Sequence, residues 1–130
     1  MSWDLNSDRP IFIQIIEKIQ MDIISGQYCP GDKLPSVREL AGEASVNPNT
    51  MQKALSELER TGLVYSQRTS GRYITEDAAM IGKLKEQLAE GIISDFFLNM
   101  EKLGFQREVA FSLLAKSIEI KGGQEDDTGM

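Results

Sequence analysis

The sequence predicts a mainly α-helical chain with a small β-hairpin, from three observations between residues 34 and 74. Two helix-start signals, Ser36-x-x-Glu39 and Asn47-Pro48, stand a few residues apart, so two helices follow each other across a tight turn. Two short runs of strand-forming residues come next, joined by a turn that contains glycine. Helix, turn, helix and hairpin in this order are the winged helix-turn-helix arrangement.

A further helix is predicted ahead of this stretch, from Pro10 to Gly26. Its apolar residues recur at helical spacing and would form one wide face, with Phe12, Ile16, Ile19 and Ile23 central and Ile13, Ile15 and Ile24 flanking. So wide a face needs cover on several sides, which we expect from the helix-turn-helix and another element. Trp3 and Leu5 are expected to pack against the domain rather than to stack on bases.

The second helix of the pair, which begins at Asn47-Pro48, is the predicted recognition helix, the one that enters the DNA major groove. Its buried stripe recurs at helical spacing and comprises Met51, Ala54, Leu55 and Leu58. The opposite face carries short polar and amide side chains and one cation, which suit base edges and phosphates: Asn49, Thr50, Gln52, Lys53 and Ser56. Gly62 supplies the stop after this helix.

The predicted hairpin consists of residues 63–67 and 72–75 with a turn between them. The turn and its flanks carry the residues that a DNA-touching wing requires, which are Arg68, Ser70, Gly71 and Arg72. The two arginines can meet phosphates, and a glycine at the tip lets the backbone approach a narrow groove because it has no side chain.

Two segments, 31–41 (GDKLPSVRELA) and 46–50 (VNPNT), resemble the N-terminal domain of the GntR family of bacterial repressors, in particular its YtrA-type branch. The resemblance covers residues 8–75 closely and the rest in outline. It implies that Arg38 contacts a phosphate or a base, with a surface ion pair to a nearby glutamate as the alternative. It also allows Ser36 a phosphate contact, although helix capping alone explains that serine.

The recognition helix departs from the pattern best known in the resembled family. Many members carry Arg near its start and again four residues later, where this sequence has Pro48 and Gln52. The Arg-to-guanine contact therefore cannot be carried over. Gln prefers adenine, and Asn49 and Lys53 can also contact bases. For Lys53 a phosphate contact is favoured over a base contact. The binding mode is predicted, but the operator sequence stays open.

After residue 76 the pattern changes to one long amphipathic helix that ends at Leu103-Gly104-Phe105, followed by a second helix over 107–118. Two antiparallel helices cannot bury so wide an apolar stripe against each other, so we expect a second copy of the chain to cover it. A monomer whose long helix folds back on its first helix is the alternative. The residues expected at the dimer interface are Ile81, Leu84, Leu88, Ile92, Phe96, Met100, Leu103, Phe105 and Leu114.

The predicted domains are therefore a winged helix-turn-helix over residues 1–76, a two-helix dimerisation hairpin over 77–120 and a disordered tail over 121–130, which is polar, acidic and rich in glycine. Larger members of the resembled family carry a separate ligand-binding or aminotransferase-like domain. The residues after the wing are too few for either, and the existence of a small-molecule effector stays unknown.

Charge is distributed unevenly along the 130 residues. The net charge of −6 argues on its own against a nucleic-acid binder. Between Lys33 and Arg72, however, six cations stand against four anions, so this window is net +2 and the remainder −8. Such a distribution fits a DNA-binding window in a chain with low non-specific affinity for DNA.

The sequence has no His and a single cysteine, Cys29. A Cys/His zinc site and His-dependent catalysis are thereby excluded, and we expect neither a cofactor nor an enzyme activity. Cys29 cannot form an internal disulfide, and an inert thiol is favoured over a redox sensor. No apolar run is long enough for a membrane span and no signal peptide is recognisable, so the cytoplasm is the expected location.

Together these observations predict a sequence-specific DNA-binding transcriptional regulator. The resemblance implies a repressor, and the two-fold symmetry of a homodimer would match an inverted-repeat operator in double-stranded DNA. The alternative is a winged-helix protein–protein adaptor that does not bind DNA, which the acidic total would suit.

Overall fold

A computed structural model describes residues 3–129, with side chains described as far as Glu119. The elements are α1 (Ile11–Ile24), α2 (Val37–Ala44), α3 (Pro48–Arg60), β1 (Val64–Gln67), β2 (Gly71–Ile74), α4 (Ala78–Lys102) and α5 (Arg107–Gly129). The predicted fold class, mainly α with a small β-hairpin, is confirmed. The chain divides into two compact units between Lys85 and Glu86, here called the winged unit and the C-terminal unit.

The core of the winged unit lies where α1, α2, α3 and the hairpin meet. The apolar stripe predicted for α3 is fully buried. Its partners in the core include Ile15, Ile19 and Ile23 of α1, Leu40 of α2, and Val64 and Ile74 of the hairpin. Full burial of one such side chain contributes roughly 1.5–3 kcal/mol, so this core is what holds the polar face of α3 in place.

Helix α1 turns a different face to the core than its spacing predicts. Ile15 and Gln14 are buried, whereas Phe12 and Ile16 are only half-buried. Gln14 takes a central place because its side-chain amide fixes the segment ahead of the helix: Oε1 accepts from Asn6 N at 2.9 Å, and Nε2 donates to Asn6 O at 2.7 Å. Trp3 and Leu5 pack against the core, as predicted.

Both predicted helix-start signals are confirmed. Ser36 Oγ accepts from Glu39 N at 3.1 Å, and Glu39 Oε1 accepts from Ser36 N at 3.0 Å, which completes the capping box of α2. Asn47 Oδ1 accepts from Asn49 N at 2.7 Å and caps α3. Between the two helices Ser45 adopts a left-handed conformation with φ 57°, which produces the tight turn.

The capping box makes the stability of the winged unit depend on pH. Hydrogen bonds from the backbone and hydroxyl of Ser36, with Lys33 adding its charge, hold the pKa of Glu39 below its usual value. A carboxyl with a lowered folded-state pKa stabilises the fold above its unfolded pKa and loses that contribution as the pH falls through the folded value. We expect Ser36→Ala to return the pKa of Glu39 part of the way, as measured by NMR titration; an unchanged pKa would contradict this account.

The hairpin is antiparallel, with Val64 opposite Ile74 and Gln67 opposite Gly71. Gly71 thus opens β2, one residue earlier than the sequence predicts, and its φ of +115° favours glycine. The segment that leads into α2 runs beside β2, where Lys33 forms a bridge with Tyr73. Leu34 N donates to Arg72 O at 2.8 Å, so the start of α2 and the hairpin are joined through their backbones.

The long helix predicted after the hairpin is confirmed as α4. The division between the two units falls inside α4, whereas the sequence places a domain boundary at residue 76. Ile81 and Leu84, which are predicted dimer contacts, pack half-buried against the core of the winged unit. Their apolar spacing is continuous with that of the following turns, so the pattern alone cannot tell which neighbour each turn contacts.

The C-terminal unit carries much exposed apolar surface, including Ile92, Ile93, Leu98, Leu103, Phe105, Val109, Phe111, Leu113, Leu114 and Ile118. Of the other predicted interface residues, Leu88, Phe96 and Met100 are half-buried. The backbone of α5 is helical to Gly129, and the disorder predicted for residues 121–130 stays a prediction. Side chains from Ile120 onward lie outside the described residues, and the domain limits remain predictions.

Candidate nucleic-acid interface

Helix α3 presents the polar face that the sequence predicts. Asn47, Pro48, Asn49, Gln52 and Lys53 are exposed, and Thr50 is half-exposed near the N-terminus of the helix. Because the opposite stripe is fixed in the core, these side chains project from a rigid support. Amide, hydroxyl and ammonium groups on such a face can donate and accept hydrogen bonds along base edges.

Besides Asn47, which caps the helix, two side chains of this face already have partners in the described structure. Gln52 Nε2 donates to Ser56 Oγ at 3.2 Å, and the ammonium of Lys53 lies 4.1 Å from the centroid of the Phe12 ring. An exposed cation–π contact of this kind contributes roughly 0.5–1 kcal/mol, which is small beside a charge-assisted contact with phosphate. Nothing in the local sequence around Lys53 indicated its contact with α1.

A cleft of about 620 Å³ lies between the N-terminus of α2 and the hairpin. It brings together residues predicted separately for the two elements, and its lining comprises Lys33, Leu34, Pro35, Ser36, Val37, Glu39, Ser70, Gly71 and Arg72. A Cβ atom at Gly71 would lie 3.2 Å from Lys33 Cε, so the lysine stem occupies the space that this glycine leaves free. The cleft combines a helix N-terminus with a cation, which is chemistry suited to a phosphate.

Lys33 lines the cleft although it is not among the site residues predicted from the sequence. The signal was the Leu34-Pro35 pair, because a residue before proline is held extended and can run beside a strand. The backbone pairing with Tyr73 places Lys33 along the hairpin.

Arg38 and Arg68 are exposed, the first in the opening turn of α2 and the second in the turn of the hairpin. Among the described residues, the ion pair of Arg38 with Glu39 or Glu43 that the sequence left as an alternative is not formed. The carboxylate of Glu39 is instead turned toward the backbone N–H of Ser36. Both guanidinium groups are therefore placed to meet an anion outside the chain.

Arg72 differs from the other predicted wing residues because its side chain is turned inward. Arg72 Nε donates to Glu59 Oε1 of α3, and the same oxygen accepts from Ser66 Oγ at 2.8 Å. Burial opposes ionisation of Glu59, but the hydrogen bonds from Arg72 and Ser66 outweigh it and lower the pKa of the carboxyl. The predicted phosphate contact of Arg72 thus competes with a contact inside the winged unit.

Neither a candidate metal site nor a candidate membrane span is found in the described part of the chain. Its Cys, Asp and Glu side chains form no group of three that could hold a metal ion. None of the helices found there combines the length and the apolar character that crossing a bilayer demands. Cys29 is exposed and its thiol lies 3.5 Å from Gly26 O.

Residues 13–74 match the family model described as "Bacterial regulatory proteins, gntR family". The chain is 41% identical over 133 residues to the HTH-type transcriptional repressor YtrA of Bacillus subtilis (strain 168), an alignment that covers 95% of this chain and 97% of YtrA. The matched residues include the whole helix-turn-helix and the hairpin.

Solved structures also resemble the chain, and two of them bear on its function. The GntR family transcriptional regulator from Listeria monocytogenes is 40% identical with a TM-score of 0.77, over 86% of this chain and 98% of that one. AraR(DBD) in complex with operator ORX1 is 29% identical with a TM-score of 0.50, over 58% of this chain and 92% of that one. These proteins are transcriptional regulators and not enzymes. This chain accordingly belongs to the GntR family of bacterial transcriptional regulators.

Proposed function

We propose that this regulator is a sequence-specific DNA-binding repressor that acts as a homodimer on an inverted-repeat operator. The observation that carries the proposal is the exposed polar face of α3, held on a buried stripe, with a cleft lined by Lys33 and the N-terminus of α2 beside the hairpin. The similarity to a DNA-binding domain in complex with its operator supports the binding mode, and the similarity to a named repressor supports the direction of regulation.

In the proposed complex α3 lies in the major groove and reads base edges. Gln52 can exchange its single hydrogen bond to Ser56 for a bidentate contact with adenine, while Asn49 and Thr50 stand one turn closer to the helix start. Lys53 takes the phosphate role, since its ammonium rests on Phe12 and has no competing carboxylate among the described residues.

Phosphate contacts are proposed for Ser36, Lys33 and Arg38 at the start of α2, and for Arg68 and Ser70 in the turn of the hairpin. Lys33, Ser36 and Ser70 line one cleft, and Arg38 and Arg68 are exposed on the two elements that border it. A few such contacts per subunit, doubled by two-fold symmetry, give an affinity that falls steeply with salt. An operator-binding protein of this kind works in the cytoplasm, where bacterial DNA lies.

The proposed dimer uses the C-terminal unit. Ile92 and Leu103 are 65% and 73% exposed, and Phe105 and Leu114 are 38% and 41% exposed, which is much apolar exposure for one small unit. Since Ile81 and Leu84 already pack on the core of the winged unit, we place the start of the interface at Leu88.

The proposal is tested by fluorescence anisotropy with a labelled duplex from the gene's own upstream region, a scrambled duplex and two salt concentrations. We expect preference for the native duplex and an observed binding constant whose logarithm falls with the logarithm of salt by about 0.9 per phosphate contact. If neither duplex is preferred, selection from random DNA follows. Failure to enrich any sequence would contradict the proposal and favour the protein–protein adaptor.

Replacing Arg38 by Ala is expected to weaken operator binding about tenfold, because a charge-assisted contact to DNA is lost while the exposed position leaves the fold intact. Lys83→Ala is the matched control, since it removes the same charge from an exposed position on α4. If Arg38→Ala and Lys83→Ala bind the operator with equal affinity in the same anisotropy titration, Arg38 does not contact DNA.

A further inference from the structure

We propose that Glu59 is a positioning residue that fixes the wing to the recognition helix, and that Arg72 serves this tie instead of contacting phosphate. The inference rests on the proposed function, because the placement of the hairpin matters for DNA only if the hairpin contacts DNA. Glu59 is an acidic residue on the proposed recognition helix, and its negative charge alone would argue against a role in DNA binding.

The tie involves both strands of the hairpin at once. Ser66 of β1 and Arg72 of β2 are cross-strand partners, so their side chains lie on one face of the hairpin. Both donate to the same oxygen of Glu59, which stands in the last turn of α3. One carboxylate therefore joins three elements, and a rotation of the hairpin away from α3 would break both hydrogen bonds together.

Burial distinguishes this pair from an ordinary surface ion pair. The side chains of Arg72 and Glu59 are 19% and 31% exposed, whereas those of Arg60 and Glu57, paired within the same helix, are 71% and 38% exposed. A partly buried pair is screened less by water and salt than an exposed one. The lowered pKa of Glu59 agrees with a carboxylate that stays charged at neutral pH between its two donors.

The hairpin needs such a tie because it has only two strands, and an isolated pair of strands is marginally stable. Its outer edge is joined to the segment before α2 by Leu34 N, which donates to Arg72 O at 2.8 Å. Glu59 supplies the link on the side of α3. With both links intact, Arg68 and Ser70 in the turn are held at a set distance from the polar face of α3.

Three variants distinguish a positioning role of Arg72 and Glu59 from a direct phosphate contact of Arg72, because the two accounts predict opposite changes in DNA affinity. Glu59→Gln removes the charge that holds Arg72, Arg72→Gln removes the other partner, and Glu57→Gln removes the same negative charge from α3 without touching the hairpin. Each is titrated by anisotropy against the duplex that the unchanged chain prefers. If Arg72 contacts phosphate, Glu59→Gln frees it and removes a repulsive charge, so affinity for DNA rises or stays level.

If Glu59 positions the hairpin, Glu59→Gln should instead lower the affinity for DNA. We expect Glu59→Gln and Arg72→Gln each to weaken binding about tenfold, the double variant to be no weaker than either, and Glu57→Gln to bind as the unchanged chain does. Unchanged or tighter binding by Glu59→Gln overturns the inference while leaving the proposed function standing. If the unchanged chain binds no duplex in preference to another, both the inference on Glu59 and the proposed function are overturned.

Hydrogen–deuterium exchange tests the contact between Glu59 and the hairpin in the absence of DNA. Hydrogen–deuterium exchange of the amides in residues 64–74 should speed up in Glu59→Gln and not in Glu57→Gln, with amides of α1 unaffected as evidence of an intact core. If Glu59→Gln does not fold, Glu59→Asp retains the charge on a shorter side chain and serves the same comparison. Exchange in the hairpin that matches the unchanged chain would overturn the proposed tie.

Discussion

Replacing Ile92 by Glu is expected to make the protein monomeric and to lower its operator affinity on the order of 100-fold. The side chain is 65% exposed in the described chain, so the change leaves the protomer fold intact. In the proposed dimer it would bury a carboxylate on each side of a two-fold axis without a partner, which strongly disfavours association. Sedimentation equilibrium gives the mass, and anisotropy gives the affinity for the operator.

Leu98→Glu is the matched control for this change. Leu98 is 51% exposed on the same helix, and it lies roughly 120° around the helix axis from Ile92. We expect this variant to remain dimeric. A dimer that survives Ile92→Glu would move the interface to another surface, and a monomer with undiminished affinity would contradict the inverted-repeat operator.

Replacing Leu55 by Ala is expected to lower the free energy of unfolding by about 3 kcal/mol. Leu55 is fully buried on α3 within the core that also takes side chains from α1, α2 and the hairpin. The lost methyl groups leave a cavity behind the polar face of α3 that neighbouring helices can close only in part. Urea denaturation followed by circular dichroism measures the change, with the slope of the transition expected to stay the same.

Ser56→Ala tests whether the effect at Leu55 comes from the core and not from the helix. Ser56 is the next residue, is exposed, and accepts a single hydrogen bond from Gln52 in the described structure. Its replacement should change stability by no more than about 0.5 kcal/mol. A loss below about 1 kcal/mol for Leu55→Ala would show that this core can close around the missing group.

The features predicted correctly from the sequence depend on residues close together in the chain. The capping box at Ser36 and the Asn47 cap each involve hydrogen bonds within three residues, so residue types at fixed spacing indicate them. The buried stripe of α3 follows from helical periodicity in the same way. These local signals determined the helix-turn-helix and the face of α3 that points outward.

Contacts between distant residues were not predictable by the same means. Arg72 and Glu59 are separated by 13 positions, and only their packing in the folded chain shows that the arginine turns inward. Lys53 and Phe12 lie on different helices, and their contact leaves no trace in the spacing of either. The packing of Ile81 and Leu84 against the core of the winged unit was not predictable either, because their apolar spacing continues unchanged along the rest of α4.

The carboxylate that joins Ser66 and Arg72 to α3 also bears on the entropy of DNA binding. A hairpin tied down in the free protein has lost much of its conformational freedom during folding, so less is lost when DNA arrives. The wing is thus pre-organised, and releasing it should make the entropy of association more unfavourable without removing any group that touches DNA.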